Sequence, residues 1–425
     1  MALADRYGNV LTSASQDAVG FYCEGLDRLL SANVGAVDCF SNAVEADPLF
    51  ALGHSALARA KMLAGDMAGA KTSIGQAVEQ SGNCSEREQQ HIKIFELLFA
   101  GNSSQSRSLA EKHLSIFPRD AIVASLCTSV FGLIAFSGCH ATEAQMLGLT
   151  SWLTPHYKDD WWMQSMHAMA LCESGQPEKS LGLMEQSLAV NPRNAHGSHF
   201  KAHALYEMNQ ATAGIDYLND WLKDYDRDGQ LHSHLNWHLA LWSLSIGDTD
   251  RMWAIVDGAV GPEVSKGLPI NIVTDMAAIY FRAELAGQTV PSERWQKLAA
   301  YIARKFPNPG QSFVDIHAAL AHAMAGNADD LAKYTDQPKG FASDLVRPIA
   351  QAWQGIVRQN WQESLDALTP VMRQHSRLGG SRAQRDLIEF TYLSVLLKLG
   401  RSDEAKRLLT TRRAAFLDTV PLADW

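Results

Sequence analysis

Six of the fifteen histidines fall between Ala195 and Leu241: His196, His199, His203, His232, His234 and His238. His199 and His203 are four residues apart, and so are His234 and His238. On a helix each pair shares one face. Imidazole nitrogens of this kind, joined by carboxylates, suit zinc or iron. A histidine beside an aspartate can also be tuned for proton transfer near neutral pH. The spacing alone decides little, because a half-buried histidine most often makes one structural hydrogen bond. The chain has no HExxH, GxSxG, phosphate-binding loop or dinucleotide fingerprint, and no convincing nucleophile. No cofactor is therefore expected, and a transition metal on His199, His203, His234 and His238 is the alternative.

The elements that position these residues follow from a repeat. Helix-period segments stop at Gly65, Gly101, Gly138, Gly175, Asn209, Gly247, Gly287, Gly326, Asn360 and Gly400, at intervals of 34 to 40 residues. Gly and Asn tolerate the left-handed backbone that closes a helix. In the segment from Ala51 to Gln80, one apolar helix face (Leu52, Ala56, Ala60, Leu63) is followed by Gly65-Asp66 and a second helix with Ala70, Ile74 and Val78 inward. Two helices per unit at this period mark a tetratricopeptide-like (TPR-like) α-solenoid. The expected fold is all-α, a right-handed solenoid of about ten TPR-like helix pairs that can curl around a central concave pocket. Its expected parts are an N-terminal capping helix within residues 1–35, repeats over 36–417 and a short tail over 418–425.

In such a fold the first helix of each pair lines the concave side. Counted back from each stop, His167, His199, His203, His234, His238 and Asp275 lie 8, 10, 6, 13, 9 and 12 residues before it, and His317 lies 9 before Gly326. These offsets fall on or beside one helical face. His54 and Asp315, both at 11, fit it less well. Trp237 interleaves with the central histidines, and Gln384, Arg385 and Asp386 begin the last first helix. Arg385 could clamp a carboxylate or phosphate, or pair structurally with Asp386. The expected ligand-binding set is thus His167, His199, His203, His234, His238, Trp237, Asp275, Asp315, His317, Gln384, Arg385 and Asp386. Were the site catalytic, His203, His238, Asp275, His317 and Arg385 would be the candidates. Asp159-Asp160, just before Trp161-Trp162, reads as a helix N-cap.

The formal net charge of −9 argues against nucleic acid or an anionic membrane as the main partner. All six cysteines (Cys23, Cys39, Cys84, Cys127, Cys139, Cys172) precede residue 173 without a CxxC, which favours reduced, mostly buried thiols. The N-terminus lacks the basic-then-apolar pattern of a signal peptide, and no apolar run approaches a membrane span, so a cytoplasmic setting is expected.

Several segments carry a resemblance: MHAMALCESG from Met166, HFKAHALYEMN from His199, HSHLNWHLALW from His232, DMAAIYFRAELAG from Asp275, FVDIHAALAHAMAG from Phe313 and GGSRAQRDLIE from Gly379. Over most of its length the chain resembles the tetratricopeptide repeat protein 38 family. It differs where that family tends to have histidine in place of Arg382, and HNWWHLAL in place of the stretch containing Leu235 and Asn236. The resemblance implies an all-helical repeat fold and brings no established activity. The functional expectation is a repeat protein binding a small ligand or peptide segment in a His-rich concave groove. The alternative is an enzyme using the same His/Asp/Arg surface for hydrolysis or other acid/base chemistry on a small molecule.

Overall fold

The left-handed residues do what the repeat requires of them. At Gly65 (φ 82°) the Gly65 N–H donates to the Met62 carbonyl at 3.1 Å and the Asp66 N–H to the Lys61 carbonyl at 2.9 Å. This double bond satisfies two carbonyls that the helix end would leave orphaned. The same long bond recurs after Gly101, Gly175, Asn209, Gly247, Gly287, Gly326 and Gly400, all at positive φ. Two expected stops differ. Asn360 has φ −89° and instead caps the next helix by accepting from the Glu363 N–H, while Gln359 takes the left-handed turn at φ 57°. Gly138 follows an irregular stretch rather than an α-helix, because the first helix of that pair already ends at Cys127.

The computed structural model describes residues 3–425. Its helices are α1 Gln16–Leu30, α2 Ala36–Ala46, α3 Ala51–Leu63, α4 Met67–Gln80, α5 Glu86–Phe99, α6 Ser103–Ile116, α7 Ala121–Cys127, α8 Thr142–Tyr157, α9 Trp161–Glu173, α10 Pro177–Val190 and α11 Ala195–Glu207. They continue as α12 Ala211–Trp221, α13 His232–Ser245, α14 Thr249–Ile255, α15 Pro269–Leu285, α16 Ser292–Lys305, α17 Ser312–Met324, α18 Ala328–Asp336, α19 Ser343–Val357, α20 Trp361–Leu368, α21 Arg382–Lys398 and α22 Ser402–Arg412. The only extended pairing among the described residues is an isolated bridge between Ala4 and Val10. The chain is an all-α array of tandem TPR-like helix pairs. At the N-terminal end α1 packs along α2. No described helix is long and apolar enough to cross a membrane.

The two helices of a pair have different environments. In α17, twelve of thirteen residues are buried, against two of nine in its partner α18. A first helix packed by neighbours on every side needs small or apolar residues all round, which is why α17 reads FVDIHAALAHAM. The outer helix needs only one apolar stripe.

The chain divides into two compact units, residues 1–137, 143–201 and 224–231 against residues 138–142, 202–223 and 232–425. Within the first, Arg6 near the N-terminus pairs with Asp160, the N-cap of α9, at 2.5 Å. Asp160 also accepts from the Trp162 and Met163 N–H groups, as its position before the two tryptophans implied. Within the second, the first helices pack in series from α13 through α15 and α17 to α19, and α21 returns to pack against α15. The second unit therefore encloses its own inner helices.

Candidate functional site

The second unit brings together the histidines that the spacing singled out. His203 lies on α11, and His234 and His238 lie one turn apart on α13. The ring centroids of His203 and His238 are 4.6 Å apart, and those of His234 and His238 are 5.1 Å apart, both edge-on. Each of the three offers a ring nitrogen within 4.8 Å of the others. His199 precedes His203 by one turn of the same continuous helix. Trp237 is fully buried and stacks on His234 at 5.1 Å. Asp275, on α15, meets the cluster from the other side, and the His234 Nδ1–H donates to its Oδ2 at 2.7 Å. In the neutral ring that bond leaves the lone pair on Nε2.

Burial sets the protonation of the cluster. Removal from water pushes His203 down to about 3, with the neighbouring His234 adding to the effect. Burial, then His203 and His234, also hold His238 well below the ordinary histidine range. Both rings are therefore neutral at physiological pH. Burial raises the Asp275 carboxyl, and His234 partly offsets this.

His317 follows the same logic on α17. Its Nδ1–H donates to the Phe313 carbonyl at 2.7 Å, and burial lowers it to about 4. Its Nε2 is buried with no hydrogen-bond partner among the described residues. Asp275 Oδ1, Trp237 Nε1, Arg282 Nε and Gln384 Nε2 share that condition.

Other expected residues have local structural bonds. His167 lies in the first unit, half-buried, with Nδ1 3.0 Å from the Thr150 hydroxyl. Gln384 completes a capping box at the start of α21, accepting from the Ser381 N–H at 3.0 Å. Arg385 Nη1 donates to the Gly380 carbonyl, whereas Asp386 accepts from Tyr206 Oη at 2.8 Å and Arg413 Nη2 at 2.7 Å. Adjacent helix residues diverge by about 100°, so one cannot serve the same ligand edge as the other. His54 bonds the Pro48 carbonyl in the first unit.

Asp315 sits in the first turn of α17, where its carboxylate accepts from the Gly310 N–H at 3.0 Å. Burial raises it to about 7 against that bond and one from the Gln311 backbone. A carboxyl raised on folding binds its proton more tightly in the native state, so stability falls as pH rises from about 4 through about 7. The cost is about 4 kcal/mol at most. Asp315→Asn keeps the acceptor and removes the charge. In urea unfolding it should gain stability above pH 7 and lose this part of the pH dependence. An unchanged profile would count against it.

Composition and spacing overlooked a second polar assembly in this unit. Arg413 Nη1 bonds Glu207 at 2.5 Å, and Arg282 Nη2 donates to Tyr206 Oη at 2.8 Å. With Asp386 these groups link α11, α15, α21 and the residues after α22. Tyr206 and Arg282 both lie inside segments that carry the family resemblance. That signal was available, but neither residue is a histidine or stands at the chosen depth.

No protein-family model matches the chain. Among solved structures it is similar to a human IFIT1 dimer with m7Gppp-AAAA, at 12% identity over 92% of this chain and 93% of that one, with a TM-score of 0.45. The yeast Tom70 crystal structure matches at 15% identity over 95% and 87%, with a TM-score of 0.37. The TPR domain of P58(IPK) matches at 12% identity over 93% and 99%, with a TM-score of 0.20. The TPR-like class of this chain is argued from its own helix pairs and their left-handed stops.

Proposed function

We propose that the protein is a TPR-like repeat protein that holds a small polar ligand among the inner helices of its second unit. The observation that carries this reading is a group of buried polar atoms without hydrogen-bond partners on α13, α15, α17 and α21, among them Trp237 Nε1, Asp275 Oδ1, Arg282 Nε, His317 Nε2 and Gln384 Nε2. Leaving one such group unsatisfied costs about 1–3 kcal/mol, and native interiors seldom do so. A ligand presenting both donors and acceptors would satisfy them. Burial of every one of these side chains to within 3% of full favours a small molecule over a peptide segment, which needs an open groove. Membership of the tetratricopeptide repeat protein 38 family is part of the same proposal, supported by the six segments quoted above and by the helix-pair fold.

The test is a thermal-shift screen of the whole chain against small carboxylic acids and amines. A compound present at 100 times its Kd should stabilise the fold by about 2.7 kcal/mol. Asp275→Asn and His317→Gln should abolish or sharply reduce that shift. A shift with peptides alone, unchanged in both variants, would defeat the reading.

A further inference from the structure

Three histidines of the second unit, His203, His234 and His238, cluster ring against ring. They come from two first helices, α11 and α13, and their rings meet edge to edge. Asp275 reaches them from a third helix and fixes one ring by its Nδ1–H. We infer that His203, His234 and His238 form a binding site for a divalent transition-metal ion of the zinc class, with Asp275 as the carboxylate that orients His234. The inference rests on the reading that the inner surface of the second unit binds a ligand, and it names an ion as part of what is bound there.

The chemistry fits in kind and in dimension. Zinc takes imidazole nitrogens at about 2.0–2.1 Å in tetrahedral geometry, which sets ligand nitrogens about 3.3 Å apart. Nitrogens already within 4.8 Å reach that separation by ring rotation about χ2. A carboxylate on the far nitrogen of a ligating histidine fixes its tautomer and raises its basicity. The 2.7 Å bond from His234 to Asp275 is that arrangement. Three imidazoles without thiolate favour zinc, cobalt, nickel or copper over magnesium or calcium, which prefer oxygen.

Asp275 is here a positioning residue. A merely structural hydrogen bond would change stability on its removal without changing metal affinity. Asp275→Asn should weaken metal binding by 10- to 100-fold.

The experiment titrates the full, metal-stripped chain with Co(II) alone, reads the visible d–d absorption, and measures Zn(II) stoichiometry by mass spectrometry after dialysis. One equivalent per chain and an intense tetrahedral cobalt spectrum are expected. Both should be lost in His203→Ala and His238→Ala while the far-ultraviolet circular dichroism stays helical. Substoichiometric uptake by the native chain, or native uptake by His238→Ala, overturns the assignment. Should those variants fail to fold, X-ray absorption of the zinc-loaded native chain decides. Multiple scattering from at least two imidazoles supports the site, and a shell without it overturns the site. Absent metal uptake with a surviving organic-ligand shift would defeat this inference and leave the proposed function standing. Metal uptake with no organic-ligand shift would do the reverse.

Discussion

Replacing Arg413 with methionine should lower the stability of the second unit by about 3–5 kcal/mol, a loss on the scale of many whole-domain stabilities. The guanidinium is buried against two carboxylates, 2.5 Å from Glu207 and 2.7 Å from Asp386. Removing it leaves Glu207 with the half-exposed Arg382 at 3.1 Å and leaves Asp386 with the Tyr206 hydroxyl. The cost comes from the uncompensated charge rather than from the net worth of the pair. Asp386 is already raised by burial, and Arg413 is the main group opposing that rise. In Arg413→Met its carboxyl therefore moves further up. A raised carboxyl is harmless below its unfolded value and costs stability as pH climbs, so the deficit should widen from pH 4 to pH 7. Urea midpoints at both pH values, with hydrogen exchange of α21, measure it. Arg413→Met with Asp386→Leu should recover much of the loss, because replacing both charges leaves none exposed to the low-dielectric interior. Equal losses at both pH values would show that Asp386 is not the group responsible.

The fold was legible because its grammar is local. A left-handed Gly or Asn closes a helix within five residues, so nearly every stop could be read directly. Asn360, one residue out of place, shows the limit of that grammar. Asn suits both a helix end and an N-cap, and here it caps α20 while Gln359 turns. The candidate site was legible in part for the same reason. The pairs at i, i+4 fix a face within one helix, and repeat depth carries that face to the next helix. What neither can state is which side chains meet across helices far apart in sequence. Asp386 was singled out, but its partners Tyr206 and Arg413 are 180 and 27 residues away. Nothing periodic connects such residues. The burial that separates an open groove from an enclosed interior is likewise a property of how the unit returns on itself, through α21 against α15.

Asp120→Asn in the first unit should also cost about 3–5 kcal/mol at neutral pH, and it tests the distinction between a carboxylate saturated within the protein and one with an unpartnered oxygen. This cluster too contains two histidines and a buried carboxylate. Yet Asp120 receives His91 Nδ1 at 3.0 Å, His113 Nε2 at 3.1 Å and Arg87 Nη1 at 3.0 Å, and it caps α7 through the Val123 N–H. Its two oxygens are fully used within the protein, so they offer a ligand nothing. Burial alone would raise this carboxyl, but His91, His113 and Arg87 together hold it well below the usual carboxylate range. A depressed carboxyl contributes stability above its unfolded value near 3.8, and that contribution is lost as pH falls toward the native value. The groups facing it are Arg87, His91 and His113, with Asp5 close enough to interact electrostatically with both Arg87 and Asp120. The native chain should therefore lose stability steeply below pH 4, and Asp120→Asn should lack this part of the acid limb. Asparagine preserves the shape but presents an amide N–H₂ toward donors, so Arg87 loses its 3.0 Å carboxylate partner and keeps the Glu88 carboxylate at 3.9 Å. Urea midpoints at pH 7, 4 and 3 measure both effects. A variant as stable as the native chain at pH 7 would mean that the histidines and Arg87 find water instead. The contrast between this saturated carboxylate and Asp275, whose Oδ1 has no partner among the described residues, would then fail.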